Sequence, residues 1–285
     1  MIIENATPYR KIKDYSVSNE SFELLYNLDL DLAFTHPQPN ADILPRYYDS
    51  PDYISHTDSK RSLFEKTYQI VKNRALKNKL KLINSEAEKG HVLDIGAGTG
   101  DFLSLLKTNG WHITGIEPND KAKKIAISKG ITFASSTEKL QTHSFDVITM
   151  WHVLEHVPDV QKQISELKRI VKPGGTIFVA VPNFNSFDAH YYGNFWAAYD
   201  VPRHLWHFSK TAIDKLFKVQ DLKVVKVLPM KFDSFYVSLL SEKYKTGKMN
   251  FIKAFFIGLK SNRYGKRNLE YSSHIYVIKN VKTQN

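Results

Sequence analysis

The sequence predicts an α/β protein whose parallel sheet carries helices on both faces. From about residue 91 onward, short apolar runs such as HVLDIG and FDVITM alternate with amphipathic segments. That alternation is typical of strands joined by helical crossovers. The first apolar run ends in a glycine-rich turn, and a helical segment follows at once. The turn marks the edge of the sheet where open α/β folds bind their ligands.

Composition narrows the class of protein. The chain has 285 residues, of which 42% are hydrophobic and 24% charged, as in an ordinary globular protein. It has no cysteine, which excludes disulfides and thiolate metal sites. The first residues lack the apolar region of a secretory signal, and no apolar run approaches the roughly 20 residues that cross a bilayer. These features predict a cytoplasmic protein.

The net charge of +11 is unevenly placed. Residues 241–285 hold ten Lys or Arg and two Glu, and residues 71–81 hold five basic residues and no acid. Such charge favours an anionic partner, whether nucleic acid, a membrane surface or an anionic small substrate. The alternative is a solvated surface that keeps the protein soluble. Nothing at these positions resembles a nucleic-acid-binding module.

The chain divides into two predicted regions. Residues 1–57 are expected to form a cysteine-free N-terminal β ribbon and a connector. Residues 58–285 are expected to form the main domain, with an aromatic lid insertion at 184–209 and a helical insertion at 233–264.

The glycine turn in VLDIGAGTGDF is the most informative stretch. Gly96, Gly98 and Gly100 permit positive φ and let a ligand lie against bare backbone, while the following helix offers unpaired N–H donors. A dinucleotide fingerprint needs G-x-G-x-x-G, and here Asp101 stands where the third glycine would fall. The turn therefore favours a different cofactor.

Two acids flank this turn. Asp94 lies two residues before the first glycine and can receive the amino group of an amino-acid cofactor, a position that a pyrophosphate would oppose. Glu117 ends the next strand, where it can accept the two ribose hydroxyls of an adenosine. The alternative is a tight strand–helix turn beside acids that are there by chance.

A second motif, WHVLEHV, contains the H-x-x-E-H spacing of inverted zinc peptidases in His152, Glu155 and His156. That use requires a continuous helix carrying both histidines. Pro158 follows within two residues, so a loop entering a helix is predicted and the peptidase interpretation is excluded.

Four motifs together resemble one family. LDIGAGTGDF, GIEPN, FDVITMWHVLEHV and LKRIVKPGGTIFVAVPN are similar to the class I S-adenosylmethionine-dependent methyltransferases, in the branch of the ubiquinone-biosynthesis-like O-methyltransferases. The resemblance covers about residues 60–230. It implies a Rossmann-like, seven-stranded sheet whose last strand, SSHIYVIKN, is antiparallel. It also implies S-adenosylmethionine as cofactor and methyl transfer as the activity.

The resemblance also implies site residues. The cofactor-binding set would be Asp94, Gly96, Ala97, Gly98, Gly100, Glu117, Pro118, Ser136, Thr137, Met150, Trp151 and His152. In this set Glu117 binds ribose, Pro118 flanks adenine together with Asn119, and Ser136–Thr137 approaches the adenine edge, where the family frequently has an Asp.

Histidines and aromatic residues supply the expected catalytic and substrate groups. A general base needs a pKa near the working pH, which histidine has, and the candidates are His156, His204 and His207. The stretch YDVPRHLWHFS resembles the substrate mouth of many of these enzymes. The expected pocket residues are Tyr53, His56, Tyr191, Tyr192, Trp196, Tyr199 and Arg203. The alternative is a lid packed for stability, with His156 a capping or core histidine.

Metal binding is not expected. Some relatives bind magnesium through E-x-x-E-H at this place, but here His152 replaces the first Glu, and a hard ion would lose a carboxylate. His204 and His207 would be the further ligands of any such site.

Three acceptors remain open. A small molecule is expected. A nucleic acid is disfavoured because TMWH is not the N/D-P-P-Y/F turn usual for base-amino methylation. A lipid or quinone at a membrane surface is the third. KMNFIKAFFIGLKSNRYGKR has an apolar cluster bracketed by basic residues, which fits an interfacial helix and also a core or dimer-forming helix.

Overall fold

The computed structural model describes residues 4–40, 42–48 and 63–281, with side chains of the first helix described from residue 69. Within these ranges ten strands form two sheets. The strands are β1 (Ala6–Lys13), β2 (Ser21–Asn27), β3 (Leu32–His36), β4 (His91–Ile95), β5 (His112–Ile116), β6 (Phe145–Trp151), β7 (Val171–Pro182), β8 (Trp206–Phe208), β9 (Leu222–Pro229) and β10 (Ser273–Asn280). The α-helices are α1 (Leu63–Glu86), α2 (Asp101–Thr108), α3 (Asp120–Ser128), α4 (Val160–Ile170), α5 (Phe187–Tyr192), α6 (Lys210–Lys218), α7 (Asp233–Thr246) and α8 (Phe251–Asn268).

The large sheet has the order β5-β4-β6-β7-β10-β9. Strands β5, β4, β6 and β7 are mutually parallel, and β10 is antiparallel to both of its neighbours. The central strands are buried on both faces, as Leu93, Val147 and Ile148 show, which is why they read as continuous apolar runs. The predicted α/β fold and its antiparallel last strand are confirmed.

The predicted count of seven strands is one too high for the described residues. The segment ITFAS meets β5 only through an isolated parallel bridge between Gly115 and Phe133. Gly115 donates its N–H to Thr132 O and accepts from Ala134 N–H. The hydrogen bonding between ITFAS and β5 extends no further, so ITFAS does not form a seventh strand.

The small sheet joins the N-terminal ribbon to the predicted lid. Its order is β1-β2-β3-β8, all antiparallel. Leu32 faces Phe208 and Phe34 faces Trp206 across the β3–β8 pair. The ribbon therefore shares its hydrogen bonding with residues 206–208. The predicted boundary at residue 57 lies outside the described residues.

The helical insertion consists of α7 packed closely on α8. A Cβ on Gly258 would come within 2.6 Å of the Phe235 ring, so glycine is needed where the helices meet. Ser234 Oγ donates to Gly258 O across the same contact at 3.2 Å. The insertion ends at Asn268, four residues beyond the predicted limit.

Candidate functional site

The turn between β4 and α2 holds three glycines at positive φ, with Gly96 at +75°, Gly98 at +54° and Gly100 at +76°. A Cβ on Gly96 would lie 2.3 Å from Val153, and one on Gly100 would lie 2.8 Å from Ala126. A Cβ on Gly98 would meet nothing within 4 Å. Gly96 and Gly100 are therefore required by packing, whereas Gly98 leaves bare backbone facing open space.

Glu117 fixes the mouth of this turn. Its Oε2 accepts the Gly98 N–H at 2.7 Å, and its Oε1 accepts the Asn119 N–H at 2.8 Å. Asn119 in turn caps α3, its side chain accepting from two backbone N–H groups. Pro118 and Asn119 are exposed at the rim. One backbone N–H thus holds each oxygen of the Glu117 carboxylate, and each oxygen keeps a lone pair for a further hydrogen bond.

Asp94 lies beneath the turn and is only 3% exposed. Thr149 Oγ1 donates to its Oδ1 at 2.5 Å. Burial raises the pKa of Asp94 to about 6, although the Thr149 hydrogen bond and the Lys79 charge oppose the rise. The group is therefore an anion at neutral pH that gains a proton in mild acid.

Lys79 on α1 completes the charge pattern, and our reading of the sequence missed it. Its Nζ lies 4.2 Å from the centre of the Trp151 ring and 5.7 Å from that of Phe102, a cation–π arrangement. Burial lowers the pKa of Lys79 to about 8, against the charge of Asp94. The sequence did contain a signal for Lys79. It lies three residues after Leu76, at a position that belongs to the apolar stripe of an otherwise basic helix.

The other predicted cofactor residues lie around the same edge. Met150 is fully buried in the core, and Ala97 is almost so. Trp151 Nε1 is buried without a hydrogen-bond partner among the described residues. Thr137 is buried, and its carbonyl accepts from Arg169. The bare Gly98 backbone and the unsatisfied indole donor fit a polar ligand lying over the turn.

His152 is held between two carboxylates. It adopts φ +56°, with Nδ1 3.2 Å from Glu155 Oε1 and Nε2 3.0 Å from Asp233 Oδ2. Burial lowers the pKa of His152, but the hydrogen bonds and charges of Asp233 and Glu155 outweigh it and raise the pKa to about 10. The resulting imidazolium ties α7 to the sheet edge. Nothing in the sequence pointed to Asp233.

The predicted catalytic histidines His156 and His204 form a pair. Their rings meet edge to face at 4.6 Å between centres. The Nδ1 of His156 lies 3.0 Å from Arg203 O, and that of His204 lies 2.9 Å from Ala198 O. A carbonyl only accepts, so each Nδ1 donates, and in the neutral form of each ring the lone pair is then on Nε2. Both rings thus retain a basic nitrogen.

His207 is placed differently. Its Nε2 lies 3.2 Å from Thr35 Oγ1, and that hydroxyl already donates to His204 O at 2.6 Å. The hydroxyl can then only accept from His207, which places the proton on Nε2. Burial lowers the pKa of His207 to about 3 and that of His156 to about 4. His207 therefore uses its Nε2 proton in a structural hydrogen bond to Thr35, whereas the Nε2 of His156 has no such bond among the described residues.

The predicted pocket aromatics are mostly core. Tyr192, Trp196 and Tyr199 are buried in a cluster with residues of the N-terminal sheet. Trp196 Nε1 donates to the buried Asp188 carboxylate at 2.8 Å, while Tyr191 remains partly exposed. The lid is thus packed for stability over this stretch. Tyr53 and His56 lie outside the described residues.

Arg203 has protein partners on every side. It donates to Asp200 and Asp14 carboxylate oxygens at 2.7 and 3.0 Å, to Tyr47 O at 2.8 Å, and to the Ser16 hydroxyl. With 2% of its surface exposed, it joins the lid to the N-terminal sheet. Its contacts are those of a structural ion pair, in place of the substrate contact predicted from the sequence.

A magnesium site of the E-x-x-E-H kind does not fit this chain. His152 stands where the first carboxylate would be, and both its nitrogens are engaged. Glu155, His156 and His204 do offer ligand atoms within 4.8 Å of one another, and one Glu155 oxygen is buried without a partner among the described residues. Two imidazoles and one carboxylate suit a transition metal better than magnesium.

Comparison with known structures shows the same fold. A SAM-dependent methyltransferase from Archaeoglobus fulgidus matches with a TM-score of 0.53 at 19% identity, covering 78% of this chain and 100% of that one. A likeness at this level of identity is evidence for the fold alone.

Comparison of the sequence with curated relatives and with a family model gives the family. A ubiquinone biosynthesis O-methyltransferase from Nitrosospira multiformis is 29% identical over 183 residues, or 58% of this chain and 74% of the relative. One from Pectobacterium atrosepticum is 33% identical over 105 residues, and this match spans 33% of the chain and only 44% of the relative. A family model described as a methyltransferase domain matches residues 65–227, more than half of the chain. The chain therefore belongs to the class I S-adenosylmethionine-dependent methyltransferases, and over part of its length it is similar to the ubiquinone biosynthesis O-methyltransferases.

Proposed function

We propose that this protein transfers the methyl group of S-adenosylmethionine to a hydroxyl oxygen of a small-molecule acceptor. One observation carries the proposal: Asp94, Glu117 and Lys79 place two anions and one cation around the bare Gly98 backbone. That pattern complements a ligand with an ammonium, a carboxylate and a pair of ribose hydroxyls. The names of the curated relatives support oxygen as the atom methylated.

Each charged group has a distinct task in holding the cofactor. Asp94 accepts the ammonium of the methionine part, and Lys79 pairs with its carboxylate. Glu117 accepts the ribose hydroxyls. Pro118, Asn119, Ser136 and Thr137 lie toward adenine. The bound cofactor supplies a methyl group already activated by its sulfonium charge, so the protein's main work is to orient the acceptor and exclude water.

The acceptor must also lose a proton. As the new carbon–oxygen bond forms and the carbon–sulfur bond breaks, the hydroxyl proton passes to the Nε2 of His156 or His204. In the neutral ring, whose Nδ1 donates to a backbone carbonyl, Nε2 is the nitrogen that can accept this proton. The lowered pKa of His156, about 4, keeps its ring neutral at pH 7 but makes it a weaker base than an unshifted histidine.

Loss of one histidine of this pair should slow turnover only modestly. His156→Gln and His204→Gln should each lower kcat about tenfold, and the double variant about a hundredfold or more, because either Nε2 can take the proton. The Kd for S-adenosylhomocysteine should stay unchanged. His207→Gln, which keeps an N–H donor for Thr35, is the matched control. A double variant as active as either single variant would contradict the pair.

Cofactor affinity should depend on pH through Asp94 and Lys79. Asp94 takes up a proton below about pH 6 and Lys79 loses one above about pH 8, so S-adenosylhomocysteine should bind most tightly between these limits. Methylthioadenosine, which lacks the amino-acid part, should show no such profile. Lys79→Met should weaken binding at pH 7 about tenfold and flatten the alkaline limb, whereas Lys77→Met on the same helix should not. Equal profiles for the two ligands would exclude these roles.

The test of the function itself is methyl transfer from labelled cofactor. Extracts separated by polarity, offered to the wild type and to Asp94→Ala, should yield label in a small-molecule fraction only with the wild type. The bond formed is then identified by its stability to esterase and by mass spectrometry. Label attached to carbon or nitrogen would overturn oxygen as the acceptor atom.

A further inference from the structure

Helix α8 is held by one face only. Its buried residues are Ala254, Gly258, Ser261 and Gly265, spaced so that they form one stripe. The stripe lies against α7 at Gly258 and reaches α5, where Ser261 Oγ donates to Asp188 at 2.6 Å. These contacts fix the rotation of α8 about its axis, so the opposite side of the helix must face outward.

The outward side begins with large apolar residues. Ile252 is 74% exposed and Phe256 63%, and Leu259 follows one turn later on the same side. Met249 and Phe255 flank them and are also exposed. We call Met249, Ile252, Phe255, Phe256 and Leu259 the α8 patch. A contiguous group of this kind on a soluble protein marks a surface that contacts a partner.

Basic residues lie on both sides of the α8 patch. The exposed cations are Lys245, Lys248, Lys260, Arg263, Lys266 and Arg267. No Asp or Glu occurs in the sequence between Lys243 and Leu269. The partner must therefore combine an apolar interior with negative charge at its rim.

A second copy of the chain does not offer the negative charge that the cations around the α8 patch require. Two-fold symmetry would set the same patch against itself, so the six cations of one copy would face the six of the other. A nucleic acid would meet the cations but leave Ile252 and Leu259 without an apolar counterpart. An anionic bilayer offers acyl chains beneath a layer of negative headgroups, which matches both features.

We propose that the α8 patch docks this protein on the surface of an anionic lipid bilayer, with its apolar side chains entering the headgroup–acyl boundary and its cations on the headgroups. Among the helices that the structure describes, none has the length and hydropathy needed to span a bilayer. Because one face of α8 is packed along its length against the protein, the proposed docking places the helix axis in the plane of the membrane surface. Helix α7 packs on α8, and the hydrogen bond between Asp233 of α7 and His152 connects these two helices to the candidate site.

Vesicle co-sedimentation tests this proposal independently of methyl transfer. The wild type should pellet with vesicles of mixed phosphatidylglycerol and phosphatidylcholine, and much less with phosphatidylcholine alone. Ile252→Asp combined with Phe256→Asp should weaken pelleting at least about tenfold. Val219→Asp is the matched control, since Val219 is equally exposed at 74% but lies at the end of α6, and it should pellet like the wild type. Thermal melting checks that each variant is folded.

Three outcomes would overturn the proposal. The wild type would stay in solution with anionic vesicles, or the double variant would pellet as strongly as the wild type. The third is a dimer in sedimentation equilibrium that Phe256→Asp disperses, which would assign the patch to a second copy. Loss of pelleting in Lys260→Gln combined with Arg263→Gln, and in high salt, would support the charge component.

Discussion

Asp94→Ala should weaken the binding of S-adenosylhomocysteine about a thousandfold, equivalent to about 4 kcal/mol. At pH 7 the carboxylate is ionised, because its pKa is about 6, and it lies buried where water cannot replace it. Removing it leaves the ligand ammonium in a site that still contains the Lys79 cation. Isothermal titration calorimetry at pH 7 measures the loss.

Asp146→Asn is the control for this substitution. Asp146 is an acid on the neighbouring strand β6, but it pairs with Lys172 and the His91 N–H at the amino end of the strands, so its loss should leave the Kd unchanged. Asp94→Asn should fall between wild type and Asp94→Ala, because it keeps a hydrogen-bond acceptor without the charge. Full affinity in Asp94→Ala would show that another group receives the ammonium.

Arg203→Ala should lower the free energy of unfolding by about 3–5 kcal/mol, because it leaves the buried Asp14 carboxylate and the partly buried Asp200 carboxylate without their cation. Asp14 is 1% exposed, and Asp200 accepts two of the Arg203 hydrogen bonds. Urea unfolding monitored by tryptophan fluorescence measures the change. Arg46→Ala, which removes an exposed pair with Glu20, is the control and should barely move the midpoint.

The same ion pair makes the stability of the folded protein depend on pH in the acid range. Burial works against it, but the hydrogen bond and charge of Arg203 hold the pKa of Asp14 at about 2. A lowered pKa stabilises the folded state at pH above the value of the unfolded chain, and this stabilisation disappears as pH falls toward 2. In Arg203→Ala this acid-dependent part should shrink. An unchanged acid limb in the variant would contradict the assignment of that limb to the pair.

What the sequence could predict was local. The strand at HVLDIG, the glycine turn and the acids Asp94 and Glu117 follow from patterns within about 25 residues, since burial and backbone conformation act on neighbours in the chain. The position of the last strand came from the family resemblance. The seventh strand was overcounted because an apolar run indicates burial but not how far an edge strand pairs.

What the sequence could not predict depends on distant residues. His152 meets Asp233 from 81 residues away, and Arg203 meets Asp14 across 189. No spacing rule connects such pairs. A histidine in a metal-like motif proves to be an imidazolium between carboxylates, and an arginine assigned to substrate proves to hold the lid to the N-terminal sheet. Lys79 is the intermediate case, because its place in an apolar stripe was visible.

The carboxylate of Glu117 accepts the backbone N–H groups of Gly98 and Asn119. A guest hydroxyl can bind the lone pairs that remain without displacing either amide. Under the proposed function, these two hydrogen bonds hold the loop in place, so little conformational entropy remains to be lost when the ribose binds. More of the contact energy then appears as affinity, which suits an enzyme that must exchange a spent nucleoside for a fresh one at every turnover.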